Sequence, residues 1–98
     1  MEIMKYFLLY HPDVKEIDLP PIPANIKQRI KNAIENRLLT DPVRFGVPLR
    51  RSLKGYRKLR VGDYRIIYRL KGSLTMILKI GHRKEVYYQS EKRITCQN

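Results

Sequence analysis

From Tyr56 to Ile80 the chain alternates between polar and apolar residues with a period of two, and this constrains its fold more than any other feature. A period of two belongs to a strand with two different faces. It predicts three strands, 56–61, 64–70 and 74–80, with Gly62-Asp63 as a two-residue hairpin turn and Gly72 within a second turn. On the middle strand Tyr64, Ile66, Tyr68 and Leu70 share one face, and Arg65, Ile67 and Arg69 share the other. On the third, Leu74, Met76, Leu78 and Ile80 alternate with Thr75, Ile77 and Lys79. On the first, Leu59 and Val61 point away from Tyr56, Lys58 and Arg60. The meander therefore has a greasy face that needs cover and a second face rich in Arg, Lys and Tyr.

The cover lies upstream. Ile26, Ile30, Ile34 and Leu38 recur every four residues among polar neighbours, which predicts an amphipathic helix from about Pro23 to Leu39. Pro23 suits a first helical turn, and Asp41-Pro42 stops the helix. Residues 3–10 read as a buried strand ended by His11-Pro12-Asp13, followed by a single helical turn over 13–19. Residues 40–55, with Pro42, Gly46, Pro48 and Gly55, read as mostly loop, anchored by Phe45, Leu49 and Leu53. The expected fold is α+β: a mostly antiparallel sheet, built from the N-terminal strand and the C-terminal three-stranded meander, with helices packed on one face. Ninety-eight residues make one domain, 1–98, with 89–98 expected to be a flexible tail.

The formal net charge is +12. Residues 50–71 hold nine basic residues (Arg50, Arg51, Lys54, Arg57, Lys58, Arg60, Arg65, Arg69, Lys71) against the single acid Asp63. Folding does not need such a concentration, and self-repulsion opposes it. A polyanion is its natural counterpart, and the charges sit on strands, not in a solvated tail.

One cysteine, Cys96, excludes an internal disulfide and fits a reducing compartment. The early apolar run at 6–10 is too short for a signal sequence or membrane span, so a cytoplasmic protein without a membrane partner is expected. No phosphate-cradling glycine loop, paired carboxylates or metal-spaced Cys/His cluster is present, so no metal or other cofactor is expected. What remains is arginine, lysine, tyrosine and His82. That set suits phosphodiester chemistry on RNA, where the substrate's 2′-hydroxyl is itself the nucleophile. The protein need supply only a base, cationic stabilisation of the transition state and an acid for the leaving 5′-oxygen. Tyrosines beside cations also stack bases of single-stranded RNA.

LRVGDYRIIYRL followed by IGHRKEVYY resembles the RelE/ParE superfamily of toxin–antitoxin toxins, most specifically over 53–88. The resemblance implies a small, basic, metal-independent ribonuclease that cuts mRNA in the ribosomal A site and is neutralised by a cognate antitoxin. Arg65 matches the arginine that stabilises the scissile phosphate, and Arg83 the second catalytic arginine. Lys58 matches a catalytic-strand lysine, while the family's second lysine position is Tyr56 here. Tyr87 or Tyr88 matches the tyrosine that stacks on or orients the substrate. His82 falls where some relatives use a histidine and others a lysine, so it is a proton carrier or a structural histidine at a strand end. Arg50, Arg51, Lys54, Arg57, Arg60 and Arg69, with Lys27 and Lys31, are expected to grip mRNA or rRNA phosphates. Two other functions fit the same superfamily: a ParE-like gyrase poison, and a catalytically inactive RNA- or antitoxin-binding domain.

Overall fold

The computed structural model describes residues 6–95. A five-stranded sheet has the order β1-β5-β4-β3-β2, with β1 Phe7–Tyr10, β2 Val47–Pro48, β3 Arg57–Val61, β4 Tyr64–Lys71 and β5 Leu74–His82. Only the β1–β5 pair is parallel; the other three pairs are antiparallel. The part of the expected first strand before residue 6 lies outside the described residues.

Both hairpins of the meander close on glycine. Gly62 and Gly72 each have φ +60°, the left-handed value that a type II′ turn asks of its first central residue. The turns hold the registers Val61↔Tyr64 and Lys71↔Leu74.

Helix α1, Ala24–Ala33, continues without a break into a wider π-type turn, Ile34–Leu38. The isoleucine stripe does what its spacing predicts. Ile30, Ile34 and Leu38 are buried against Leu59, Val61, Ile66, Tyr68, Ile77 and Ile80 on one face of the sheet. Thr40 Oγ1 donates to the Asn36 carbonyl at 2.8 Å, ending the helix on its own backbone.

Three expectations are corrected. First, residues 40–55 are more ordered than a loop. Asp41 Oδ1 accepts from Arg44 N at 3.1 Å and caps a short helix, α2 Pro42–Phe45, and Val47–Pro48 then pairs with Arg57–Lys58. Leu53 is a buried anchor there, but Phe45 is 40% exposed. Second, helices lie on both faces of the sheet. Val86–Thr95 form α3, so the expected tail is helical over residues 89–95, while 96–98 lie outside the described residues. Helix α3 packs Val86, Tyr87 and Ile94 against Ile67, Leu78, Leu49 and Tyr56 on the face opposite α1. Third, the alternation on β5 is broken. Ile67 pairs with Lys79 but Tyr68 pairs with Ile77, leaving Leu78 as an extra residue in a bulge. Leu78 joins the α3 cluster, whereas Ile77 and Ile80 join the α1 core.

The bulge also solves an electrostatic problem. Lys79 and Asp18 are 7% and 4% exposed, and Lys79 Nζ lies 2.6 Å from Asp18 Oδ1. Asp18 ends a helical turn, Val14–Asp18, and its Oδ2 accepts the β5 edge amide of Ile80 at 3.0 Å. Arg93 of α3 donates to both Asp18 oxygens, at 2.8 and 3.0 Å. A buried carboxylate is thus satisfied by two cations and an amide, and α3 is tied to the sheet.

Candidate functional site

The face of the sheet opposite α1 carries a cationic and aromatic set. Strand pairing places Lys58 opposite Ile67 and Arg60 opposite Arg65, and puts Arg69 on the same side of β4. Helix α3 crosses the apolar middle of this face. A Cβ on Gly81 would meet Val86 at 3.3 Å, so the glycine opposite Arg65 lets the start of α3 lie close on β5. That approach brings the half-buried Tyr87 ring to Lys58, whose Nζ stands 5.5 Å from the ring centroid. Arg69 Cζ is 5.7 Å from the Tyr56 ring on the same face. Of the two tyrosines left open by the sequence, Tyr87 faces the sheet. Tyr88 is 63% exposed on the outside of α3, with Lys92 Nζ 5.0 Å from its ring.

Arg65 and Arg83 are both anchored on the β3–β4 turn. Arg65 Nη1 donates to the carbonyls of Gly62 and Tyr64, each at 2.9 Å. Arg83 N donates to the Asp63 carbonyl at 2.8 Å, and its exposed guanidinium lies 3.8 Å from the Asp63 carboxylate. The turn therefore holds two cations at one end of the sheet, next to the Lys58–Tyr87 pair. Such an arrangement can neutralise a phosphate and hold a planar base beside it.

The structure separates three expected residues from this group. His82 pairs with Tyr64, their rings 5.8 Å apart and edge to face, on the side of the sheet that packs on α1. Its Nδ1 accepts from Lys84 N at 3.2 Å, which shapes the turn into α3 and places the neutral ring's proton on Nε2. It borders a recess with Ile17, Pro21 and Ile22, not Lys58 or Tyr87. Arg57 lies opposite Tyr68 and donates to the carbonyls of Val43 and Gly46, at 2.6 and 2.9 Å. It braces the α2 loop. Tyr88 points outward, as described. Arg50, Arg51 and Lys54 are exposed around the 3₁₀ turn Arg51–Leu53, which reaches α3 through a hydrogen bond from Ser52 to Glu91.

Sequence reading missed the Asp18–Lys79–Arg93 cluster. Its signal was Lys79 between Leu78 and Ile80, since a lysine inside an apolar strand needs a buried partner. Among the described residues no group of three or more His, Cys, Asp or Glu could hold a metal ion, and no helix is long and apolar enough to cross a membrane.

This fold has known relatives. Residues 8–87 match the family model described as the ParE toxin of the type II toxin–antitoxin system parDE. The chain is 36% identical over 72 residues to toxin RelG of Mycobacterium tuberculosis, covering 71% of this chain and 83% of that one. It is 30% identical over 73 residues to toxin RelE3 of Methanocaldococcus jannaschii, with the same coverage. Among solved structures it superposes on the RelBE2 toxin–antitoxin complex of M. tuberculosis with a TM-score of 0.74 and 31% identity, covering 81% of this chain and 99% of that one. A mutant of Escherichia coli toxin RelE in the free state shares the fold at a TM-score of 0.70 and 20% identity, over 93% and 99% of the two chains. The protein belongs to the RelE/ParE superfamily of type II toxin–antitoxin toxins.

Proposed function

We propose that this toxin is an endoribonuclease that cuts mRNA in the ribosomal A site and is held in check by an antitoxin. The observation that carries the reading is the meeting of Lys58 with the Tyr87 ring on the face that also presents Arg65. In the proposed reaction the 2′-oxygen attacks the adjacent phosphorus while the bond to the 5′-oxygen breaks, leaving a 2′,3′-cyclic phosphate. Arg65 and Arg83 stabilise the charge that builds on the phosphorane-like transition state. In this reading Lys58 takes a proton from, or gives one to, the reacting oxygens, and Tyr87 holds a base by stacking. Arg60, Arg69, Arg50, Arg51 and Lys54 hold flanking phosphates. His82 acts through the shape of the turn that carries Arg83.

An apolar and basic groove lined by Leu9, Tyr56, Arg69, Met76, Leu78 and Ile94 suits an acidic amphipathic helix, the proposed antitoxin contact. Phe7 and Leu9 extend its apolar side and are 61% and 50% exposed.

The match to the ParE family model favours a second reading, a gyrase poison. Purified protein added to translating ribosomes separates the two. The ribonuclease reading expects discrete cuts within codons, lost in Arg65→Ala/Arg83→Ala by about 10²-fold or more. Intact mRNA together with trapped gyrase–DNA complexes sinks it in favour of the gyrase reading.

A further inference from the structure

A second cationic surface lies on the other side of the β3–β4 turn. Arg29, Asn32, Asn36 and Arg37 follow one another at helical spacing along α1 and its π-type continuation, all exposed, and face Arg60 across the buried floor of Ala33 and Val61. They enclose a groove of about 510 Å3 beside β3. β2 pairs only with Arg57 and Lys58, so among the described residues no strand pairs with the outer edge of β3, the edge away from β4, from Leu59 to Val61. Among the described residues, no carboxylate lies within ion-pair distance of Arg29, Arg37 or Arg60. Of the acids near in sequence, Glu35 borders a different recess with Tyr10, Lys27 and Lys31, Asp41 caps α2, and Asp63 lies 3.8 Å from Arg83.

Two contacts extend the groove in opposite directions. At one end the Arg29 guanidinium stands 3.4 Å from where a Gly62 Cβ would be, and the carbonyl of the same Gly62 accepts from Arg65. At the other end the exposed Phe45 ring is flanked by Arg37 at 6.0 Å and Arg44 at 5.6 Å. A run of guanidinium groups thus leads from the candidate active face, past Gly62, which has no side chain, to an aromatic ring.

We propose that this groove is a second binding site for the phosphodiester backbone of RNA, continuous with the Lys58–Arg65 face around Gly62. The inference rests on RNA being the substrate. The chemistry selects RNA over a protein helix, because the floor offers only Ala33 and Val61 and no apolar stripe for a helix to bury. Guanidinium forks and asparagine amides match phosphate oxygens, and Phe45 offers a stacking surface for one base.

The test measures binding of the full chain to a labelled oligouridine across a salt series, for wild type, Arg29→Ala/Arg37→Ala, Arg29→Lys/Arg37→Lys and Arg65→Ala. A thermal melt accompanies each variant. The alanine pair is expected to weaken binding at least ~10-fold and to flatten the log–log salt slope by about 1.4, two single-strand phosphate contacts at ~0.7 each. The lysine pair is expected to keep the wild-type slope. Unchanged affinity and slope in a folded alanine pair overturn the groove, even if Arg65→Ala abolishes mRNA cleavage and so upholds the ribonuclease. Loss of binding in the alanine pair, with no cleavage by wild type on ribosomes, upholds the groove and removes the ribonuclease reading. A wild type that does not bind oligouridine at low salt overturns the groove outright. So does an alanine pair that loses binding only to an acidic amphipathic peptide.

Discussion

Arg93 and Asp18, far apart in the sequence, are joined by two charge-assisted hydrogen bonds of 2.8 and 3.0 Å that fasten α3 to the sheet. Removing the carboxylate is the more damaging change, because Lys79 then remains buried without a counter-charge and Arg93 keeps only the Asp13 carboxylate, at 3.8 Å. Asp18→Asn is expected to cost about 3–5 kcal/mol. Arg93→Leu leaves Asp18 with Lys79 and the Ile80 amide, so its cost is smaller, about 2 kcal/mol. Urea denaturation measures both. Hydrogen exchange in Arg93→Leu is expected to quicken in α3 before β4; uniform exchange would remove the latch.

Tyr68 is fully buried at the centre of β4, and its hydroxyl donates to the Pro42 carbonyl at 2.6 Å. A Cβ on Gly46 would collide with that hydroxyl, so the glycine is required by space and not by backbone conformation. Gly46→Ala is expected to destabilise by about 1–3 kcal/mol through overpacking. Gly46→Ala/Tyr68→Phe removes the nearest colliding atom and leaves the ring Cζ, 2.7 Å away, so the pair is expected to cost less than the sum of its members by at least ~0.5 kcal/mol. Additive costs in denaturation would show that the collision does not set the penalty.

The same tyrosine sets a pH dependence. Burial pushes the Tyr68 phenol above its usual 10.0, against the opposing pull of Arg57. Burial raises Tyr10 as well, and Glu35 adds to the shift. A raised phenol means that the folded state holds the proton more tightly than the unfolded chain. Its contribution is fully present below pH 10.0 and is lost as pH rises through the higher folded value. Melting temperature is expected to fall above pH 10.0, and Tyr68→Phe to fall less steeply. Parallel curves for the two proteins would discard Tyr68 as the source.

What was legible in the sequence was whatever a single period could express. The Gly62 and Gly72 turns, the isoleucine helix and the Lys58–Arg60–Arg65–Arg69 side all follow from spacing alone. The bulge at Leu78 was not legible, because one inserted residue changes the face of everything after it without changing composition. Leu78 is the cost of that blindness: spacing grouped it with Ile80, whereas it packs under α3, and His82, grouped with Lys58 and Tyr87 through the family resemblance, pairs beside Tyr64. Helix α3 was hidden differently. VYYQSEKRIT has a weak apolar stripe, and besides its packing on Ile67 and Leu78 it is held by Asp18, a residue no local pattern connects to it.

Thr75 is buried between β1 and β4, and among the described residues its hydroxyl has no hydrogen-bond partner. A desolvated hydroxyl without a partner costs free energy that a methyl group does not. Thr75→Val is expected to stabilise the fold by about 1 kcal/mol, seen as a higher urea midpoint with an unchanged slope. A lower midpoint would mean that the hydroxyl is satisfied in solution.

Tyr87 offers the sharpest test of how the proposed site holds its substrate. Lys58 approaches the ring at 5.5 Å, so the ring serves as a platform that a cation also orders. If stacking is its task, the ring matters and the hydroxyl does not. Tyr87→Ala is then expected to lower mRNA cleavage by about 5–150-fold, the effect of losing one base stack of ~1–3 kcal/mol, and Tyr87→Phe to lower it far less. Tyr87 also packs against the Ile67–Leu78–Val86 cluster, so cleavage is compared under conditions where melts show both variants folded. Equal loss in Tyr87→Phe and Tyr87→Ala would move the role to the hydroxyl, as a proton donor to the leaving 5′-oxygen. Lys58 would then be the group that orders and polarises that donor, and Lys58→Ala would alter the pH profile of cleavage in Tyr87-containing protein but not in Tyr87→Phe.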